Sequence, residues 1–141
     1  ESVLLCGDFN EPSHLDWTLA SAREGRHFGL EMAWPCSQRV TEIGMEDAYR
    51  AVFPDVCRHP GYTWTSVPGL GVGGSERAED EVHDRIDFVY HAGLGLEPKL
   101  ASIVGENNRN DDLVVSPFPS DHRAVAVIYQ IVRTAIHKTP S

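Results

Sequence analysis

Long apolar runs are missing from this chain. No stretch approaches the roughly 20 residues that a membrane-spanning helix needs, so no transmembrane segment is expected. Basic residues are scarce: 12 Lys and Arg stand against 21 Asp and Glu, for a net charge of −9. Such a surface repels phosphate backbones and counts against a high-affinity nucleic-acid-binding module. It leaves room for an enzyme whose acids hold a metal ion. Cysteine is sparse too. Cys6, Cys36 and Cys57 form no C-x-x-C pair, and their odd number leaves at least one thiol free. Cys6 lies in an apolar run and is expected to be a buried free thiol. One disulfide among the three stays open, and with it the compartment, secretion included. Neither a G-x-S-x-G motif nor a Cys–His arrangement is present, which leaves serine and cysteine hydrolases little support. No internal repeat occurs. An initiating Met is also lacking: the chain opens Glu1-Ser2-Val3, about two residues before a strand, as a cut product would.

What is present fits one soluble globular domain of 141 residues, 41% hydrophobic and 23% charged. Ser2 to Phe9 reads as a buried strand. Ser13 is the expected N-cap of a helix through "HLDWTLASARE", with Asp16 three residues on. Pro35 opens a second helix over about 37 to 43, stopped at Gly44, and "MEDAYRAVFPD" adds a helical turn. Strands are expected at "YTWTSV" (62 to 67), "RIDFVYHA" (85 to 92), "EPKLASIVGE" and "HRAVAVIYQIV", the last packed on both sides. Residues 69 to 81 read as a loop, glycine-rich and then acidic. The order predicts an α/β or α+β fold: a mixed, mostly antiparallel sheet with helices on one face. The domain runs over 1–133, followed by a tail at 134–141.

Acids gather where packing does not ask for them. "GDFN" puts Asp8 and Asn10 two positions apart at a strand end, on one face if the chain stays extended. "HDRIDF" sets Asp87 between Ile86 and Phe88. A buried carboxylate there needs a partner, because leaving it unpaired costs several kcal/mol. "PSDHRAV" supplies Asp121 and His122 at the mouth of the last strand, and an Asp87–His122 pair would fix the imidazole tautomer. "GLGVGG" (69 to 74) matches a G-x-G-x-x-G pattern but precedes acids rather than a helix, so it reads as a loop. Glu76 to Asp87 reads as a solvated acidic face, and His59 and His83 as turn residues. Trp17 and Trp34 are assigned to packing. Trp64 could stack on a substrate or belong to the core. A glycosidase pair of Asp8 and Asp87 is a weaker option, since it gives His122 no role.

In that order, "GDFN", "DRIDF" and "SDHRAV" resemble the endonuclease/exonuclease/phosphatase superfamily. Its members include pancreatic-type deoxyribonucleases, abasic-site endonucleases, neutral sphingomyelinases and inositol polyphosphate 5-phosphatases. "PSHLDWT" and "DAYR…GYTW" are similar to a bacterial branch of phosphodiesterase-like members. The resemblance runs from Ser2 to about Ile131 and covers the C-terminal half of such a domain. It implies one lobe of a four-layered α/β sandwich and hydrolysis of a phosphoester by a water, with Mg²⁺ or Mn²⁺. Asp8 would orient and deprotonate the water and touch the metal. Asn10 would bond phosphate oxygens, and Asp87 would pair with His122. Asp121 would ligate the cation, and His122 would contact the scissile phosphate.

An N-terminal lobe with an Asn and a metal-binding Glu is missing from this pattern. Two expectations follow. The sheet should expose an apolar face that a partner lobe normally covers, and the isolated chain should be inactive or nearly so. The alternative is a non-catalytic fragment or binding module that keeps the fold. The substrate, whether nucleic acid, lipid or small phosphoester, is not fixed, although the acidic charge leans away from large DNA duplexes.

Overall fold

Thr18, rather than Ser13, starts the first helix. In the computed structural model, which describes residues 1–64, 82–106 and 111–132, Thr18 accepts a hydrogen bond from the Ser21 backbone N–H. Ser21 returns one from Thr18, closing a capping box before α1 (Leu19–Arg23). Ser13 is fully buried, and its hydroxyl accepts from Leu15 N–H in the preceding turn. Pro35 occupies the first turn of α2 (Pro35–Glu42), where a missing N–H is harmless, and Gly44 follows at φ 88°. Asp47 caps α3 (Ala48–Val52), its carboxylate accepting from Tyr49 and Arg50 N–H at 3.0 and 3.2 Å.

Among the described residues, the strands form two three-stranded sheets, where the sequence predicts one. In the first, the order is β1 (Val3–Asp8), β3 (Asp87–Ala92), β2 (Glu46–Asp47), all antiparallel. In the second, β4 (Leu96–Gly105) lies between β5 (Leu113–Val114), parallel, and β6 (Ala124–Ile131), antiparallel. The fold is α+β, with helices concentrated in the first half. Helix α3 touches β3, β4 and β6, so it packs on both sheets rather than on one face of a single sheet. Of "YTWTSV", only Trp64 pairs among the described residues, through a bridge to Asp84. Residues 65–67, the glycine-rich and acidic segment over 69–81, and the tail at 134–141 lie outside the described residues.

Two small cores result. Val40, Met45, Phe88 and Tyr90 pack under the first sheet, with Phe9 against them. Tyr49, Ala101 and Ile103 pack beneath the second, with Val125 and Val127. Between them lies a charged core. Arg85, fully buried, binds Asp16 (2.9 and 3.1 Å) and Asp47 (2.9 and 2.6 Å), and Arg50 binds Asp16 at 2.6 Å. Arg50 also donates to the carbonyls of Phe53, His59 and Pro60. Burial alone would lower the Arg85 pKa, but Asp16 and Asp47 outweigh it and keep the guanidinium charged. The segments "LDWT" and "DAYR" thus supply a structural network.

The outer strands stay open. Strand β1 is exposed along its whole length, with Val3 and Leu4 each 53% accessible, and so is Cys6. This corrects the expectation of a buried first strand and a buried thiol. All three cysteines are free. Strand β6 is not packed on both sides either: Ile128 and Ile131 stand in solvent at 61% and 78%. Buried strands read as apolar runs, and the apolar runs of β1 and β6 do not distinguish that case from an exposed one. The apolar face expected from the sequence is present, on both sheets.

Candidate active site

The antiparallel register of β1 and β3 sets Asp8 directly opposite Asp87. Two carboxylates so placed repel each other and destabilise the ladder unless a positive group joins them. His122, just before β6, enters from the second sheet, and its Nδ1 lies 2.9 Å from Asp87 Oδ2. One ligand atom from each of Asp8, Asp87 and His122 lies within 4.8 Å of the others. The Asp87–His122 pairing inferred from the chemistry of a mid-strand acid is therefore in place. With Nδ1 turned to Asp87, Nε2 is the nitrogen left for a ligand.

Asn10 reaches Asp8 by a different route from the one its spacing predicts. Strand β1 ends at Asp8, and Asn10 adopts a left-handed φ of 50°, so the two do not share an extended face. The turn instead lets Asn10 N–H donate to Asp8 Oδ1 (2.8 Å) and its Nδ2 donate to Oδ2 (3.0 Å). Asparagine tolerates this backbone better than most residues and bonds its own turn. Asp8 is thereby held by two hydrogen bonds. Asp121 is exposed on the bend before His122 and lies outside the Asp8–Asp87–His122 set.

Beside this set lies a cavity of about 310 Å³ lined by Asn10, Pro12, Trp64, Asp84, Ile86 and His122. The Trp64 ring lies 4.7 Å from that of His122, so it forms a wall of the cavity. Thr63 holds the place together. Its hydroxyl accepts from Ile86 and Asp87 N–H, and its carbonyl accepts from Arg123 N–H, tying the start of β3 to the entry of β6.

The two arginines that sit in the site motifs turn away from it. Arg85 is committed to Asp16 and Asp47, and Arg123 to Glu106 (2.6 Å) and Asp111 (2.8 Å). The cluster therefore keeps an acidic surplus that neither arginine relieves. Two carboxylates and one imidazole suit a divalent cation. Asp8 and Asp87 offer the hard oxygens that Mg²⁺ or Mn²⁺ prefers, with waters completing the shell.

No protein-family model matches the chain, and no solved structure does. An uncharacterized protein of Caenorhabditis elegans is 30% identical over 92% of the chain. The chain spans 41% of that relative's length.

Asp84, Thr63 and the Asp16–Asp47–Arg50–Arg85 network escaped the sequence reading. Signals existed for some of them. Arg85 opens the strand segment "RIDFVY", and a guanidinium buried there demands acids. Nothing in the local sequence says that those acids are Asp16 and Asp47, 69 and 38 residues away. Trp17 packs, as expected, against Trp34 and His27, and also donates its indole N–H to Asp84. His59, read as a turn residue, stacks on Phe53 with ring centroids 4.3 Å apart.

Proposed function

We propose that this chain forms one wall of a metal-dependent phosphoesterase site, as the C-terminal lobe of an endonuclease/exonuclease/phosphatase domain. The observation that carries the reading is the meeting of Asp8, Asp87 and His122 at the ends of paired strands, with both motif arginines withdrawn. Such a site asks for a cation, and the cavity beside it gives a phosphoester a place to lie.

When bound, Mg²⁺ or Mn²⁺ would supply charge stabilisation at the non-bridging oxygens and acidify a water. Asp8, held by Asn10, accepts the proton of the attacking water. Asp87 holds the His122 ring through Nδ1, leaving Nε2 to contact a phosphate oxygen. Asn10 Nδ2 gives one N–H to Asp8 and carries a second that can donate to the phosphate. Trp64 gives the substrate an aromatic surface. With a net charge of −9, small or lipid-linked phosphoesters suit the protein better than DNA duplexes.

The outer strands β1 and β6 fit the same reading. Each is an uncovered apolar edge, a hazard that folded proteins do not leave open. A further lobe of the same domain, completing the four-layered sandwich, would cover them and supply the rest of the metal ligands. The non-catalytic reading applies to the chain alone, since its site has only one wall.

The test is hydrolysis of bis(p-nitrophenyl) phosphate by the full-length protein with Mg²⁺ or Mn²⁺. Asp8→Ala is expected to lower kcat by roughly 10²–10⁴-fold, the usual worth of a general base. Undiminished turnover in Asp8→Ala, or turnover that survives chelation, would overturn the reading. The isolated chain is expected to show no turnover above background.

A further inference from the structure

The cavity beside His122 is lined by one carboxyl group, that of Asp84, which the proposed site does not use. Asp84 is fixed on both sides by its backbone: its N–H donates to the Trp64 carbonyl at 2.8 Å, and its carbonyl accepts from Thr63 and Trp64 N–H. Its side chain is 14% exposed. Trp17 Nε1–H donates to Oδ1 at 2.8 Å, and His27 Nε2 lies 3.6 Å from the same oxygen, with its ring stacked on Trp17. Burial lowers the His27 pKa, which disfavours a charged imidazolium beside Asp84. Oδ2 has no hydrogen-bond partner among the described residues, and Asp84 lines the cavity with Asn10, Trp64 and His122.

A donor already occupies Oδ1, so a proton on this carboxyl belongs on Oδ2. Desolvation raises the Asp84 pKa to about 6, outweighing the Trp17 hydrogen bond, and Asp16 adds to the rise. Among the described residues, other charged groups around it are few. Arg85, the next residue, is turned into Asp16 and Asp47, and His83 tilts toward Tyr62. His122 lines the same cavity, and it groups with Asp8 and Asp87.

We infer that Asp84 is the general acid of this site, donating its Oδ2 proton to the leaving-group oxygen of a phosphoester in the cavity. The assignment rests on the phosphoesterase reading. A water oxygen bonds to phosphorus and gives one proton to Asp8. The bond from phosphorus to the bridging oxygen breaks, its electron pair stays on that oxygen, and the Asp84 proton joins it. The products are the phosphate and a neutral alcohol. Solvent reprotonates Asp84, and Asp8 returns its proton to solvent. Asp84 lies outside the compact Asp8–Asp87–His122 set, as a group acting on the departing side must. An acid matters most when the leaving group is a poor one, so alkyl esters are the substrates that depend on Asp84.

The experiment compares Asp84→Asn with the wild type in the full-length protein, on a p-nitrophenyl diester and on an alkyl diester. The p-nitrophenolate leaves unprotonated and needs no acid. Asp84→Asn is expected to lose roughly 100-fold or more in kcat on the alkyl ester, within the usual range for a general acid. Its rate on the aryl ester should stay close to that of the wild type. Asparagine keeps an oxygen for Trp17, and equal losses on both esters would show a structural role and overturn the assignment. A measurement on the wild type alone gives a second arm. Sensitivity of kcat to leaving-group pKa should steepen as pH rises through about 6, where Asp84 loses its proton. An unchanged sensitivity overturns the acid role. If the wild type hydrolyses neither ester, the phosphoesterase reading falls and takes the Asp84 role with it. If both proteins hydrolyse both esters alike, only the Asp84 role falls.

Discussion

Asp84 makes a prediction about stability that does not depend on any activity. Its carboxyl has a pKa of about 6 in the folded protein against 3.8 for the ordinary group, because burial penalises the charged form. The folded state therefore binds a proton more tightly than the unfolded one. That preference stabilises the fold fully below the ordinary pKa and is lost as pH rises through about 6. A shift of two units is worth about 3 kcal/mol at most, of which about 2 kcal/mol falls between pH 4 and pH 7. Asp84→Asn removes the charge but keeps an acceptor for Trp17 Nε1–H, which in the wild type lies 2.8 Å from Oδ1. The variant should therefore gain about 2 kcal/mol over the wild type on going from pH 4 to pH 7. Urea unfolding followed by tryptophan fluorescence at the two pH values measures the difference. The Trp17 indole proton resonance should titrate near pH 6 in the wild type and stay flat in the variant. Parallel pH profiles for the two proteins would refute the reasoning, since they would mean that Asp84 ionises as freely in the fold as in water.

Other consequences are open to equally direct measurement. Asp16→Ala leaves Arg50 and Arg85 without a shared acid in a buried site, and should cost about 3–5 kcal/mol in chemical denaturation. Gly61 sits at φ 72°, and a Cβ there would stand 2.5 Å from Tyr49 Cε1. Gly61→Ala should destabilise by roughly 2–4 kcal/mol, from left-handed strain plus overpacking, and lower the thermal midpoint accordingly. Ile131→Lys should make the isolated chain less prone to self-association in sedimentation experiments. In the full-length protein the same change should lower stability, because the proposed second lobe covers that strand.

Much of the local structure was legible in sequence. Pro35 and Gly44 bracket α2, Asp47 begins α3, and the apolar runs around Val89, Ile103 and Val127 mark the long strands. The first cap was misread because Ser13 and Thr18 both precede helical spacing, and only burial of Ser13 in a turn separates them. Burial was misjudged at β1 and β6 because an apolar run is common to covered and uncovered strands, and only the tertiary structure shows these two exposed. At the site, the Asp87–His122 pair followed from the cost of a lone acid in an apolar strand. The turn at Asn10 did not, because its left-handed backbone leaves no mark in the spacing.

The sequence by itself determined which groups stand out as candidates for chemistry: a carboxylate and a carboxamide after an apolar run, an acid at the start of a strand, and an Asp–His pair before the last one. Those choices are local, since each depends on a residue type out of keeping with its neighbours. Only the tertiary structure decided how they meet. Strand register put Asp8 opposite Asp87, the Thr63 bridge brought His122 to them, and burial raised the pKa of Asp84 at the cavity wall. It also sent Arg85 and Arg123 away to acids in the interior, leaving the site its negative charge. Register, desolvation and long-range ion pairs join residues tens of positions apart, and no pattern read along the chain contains them.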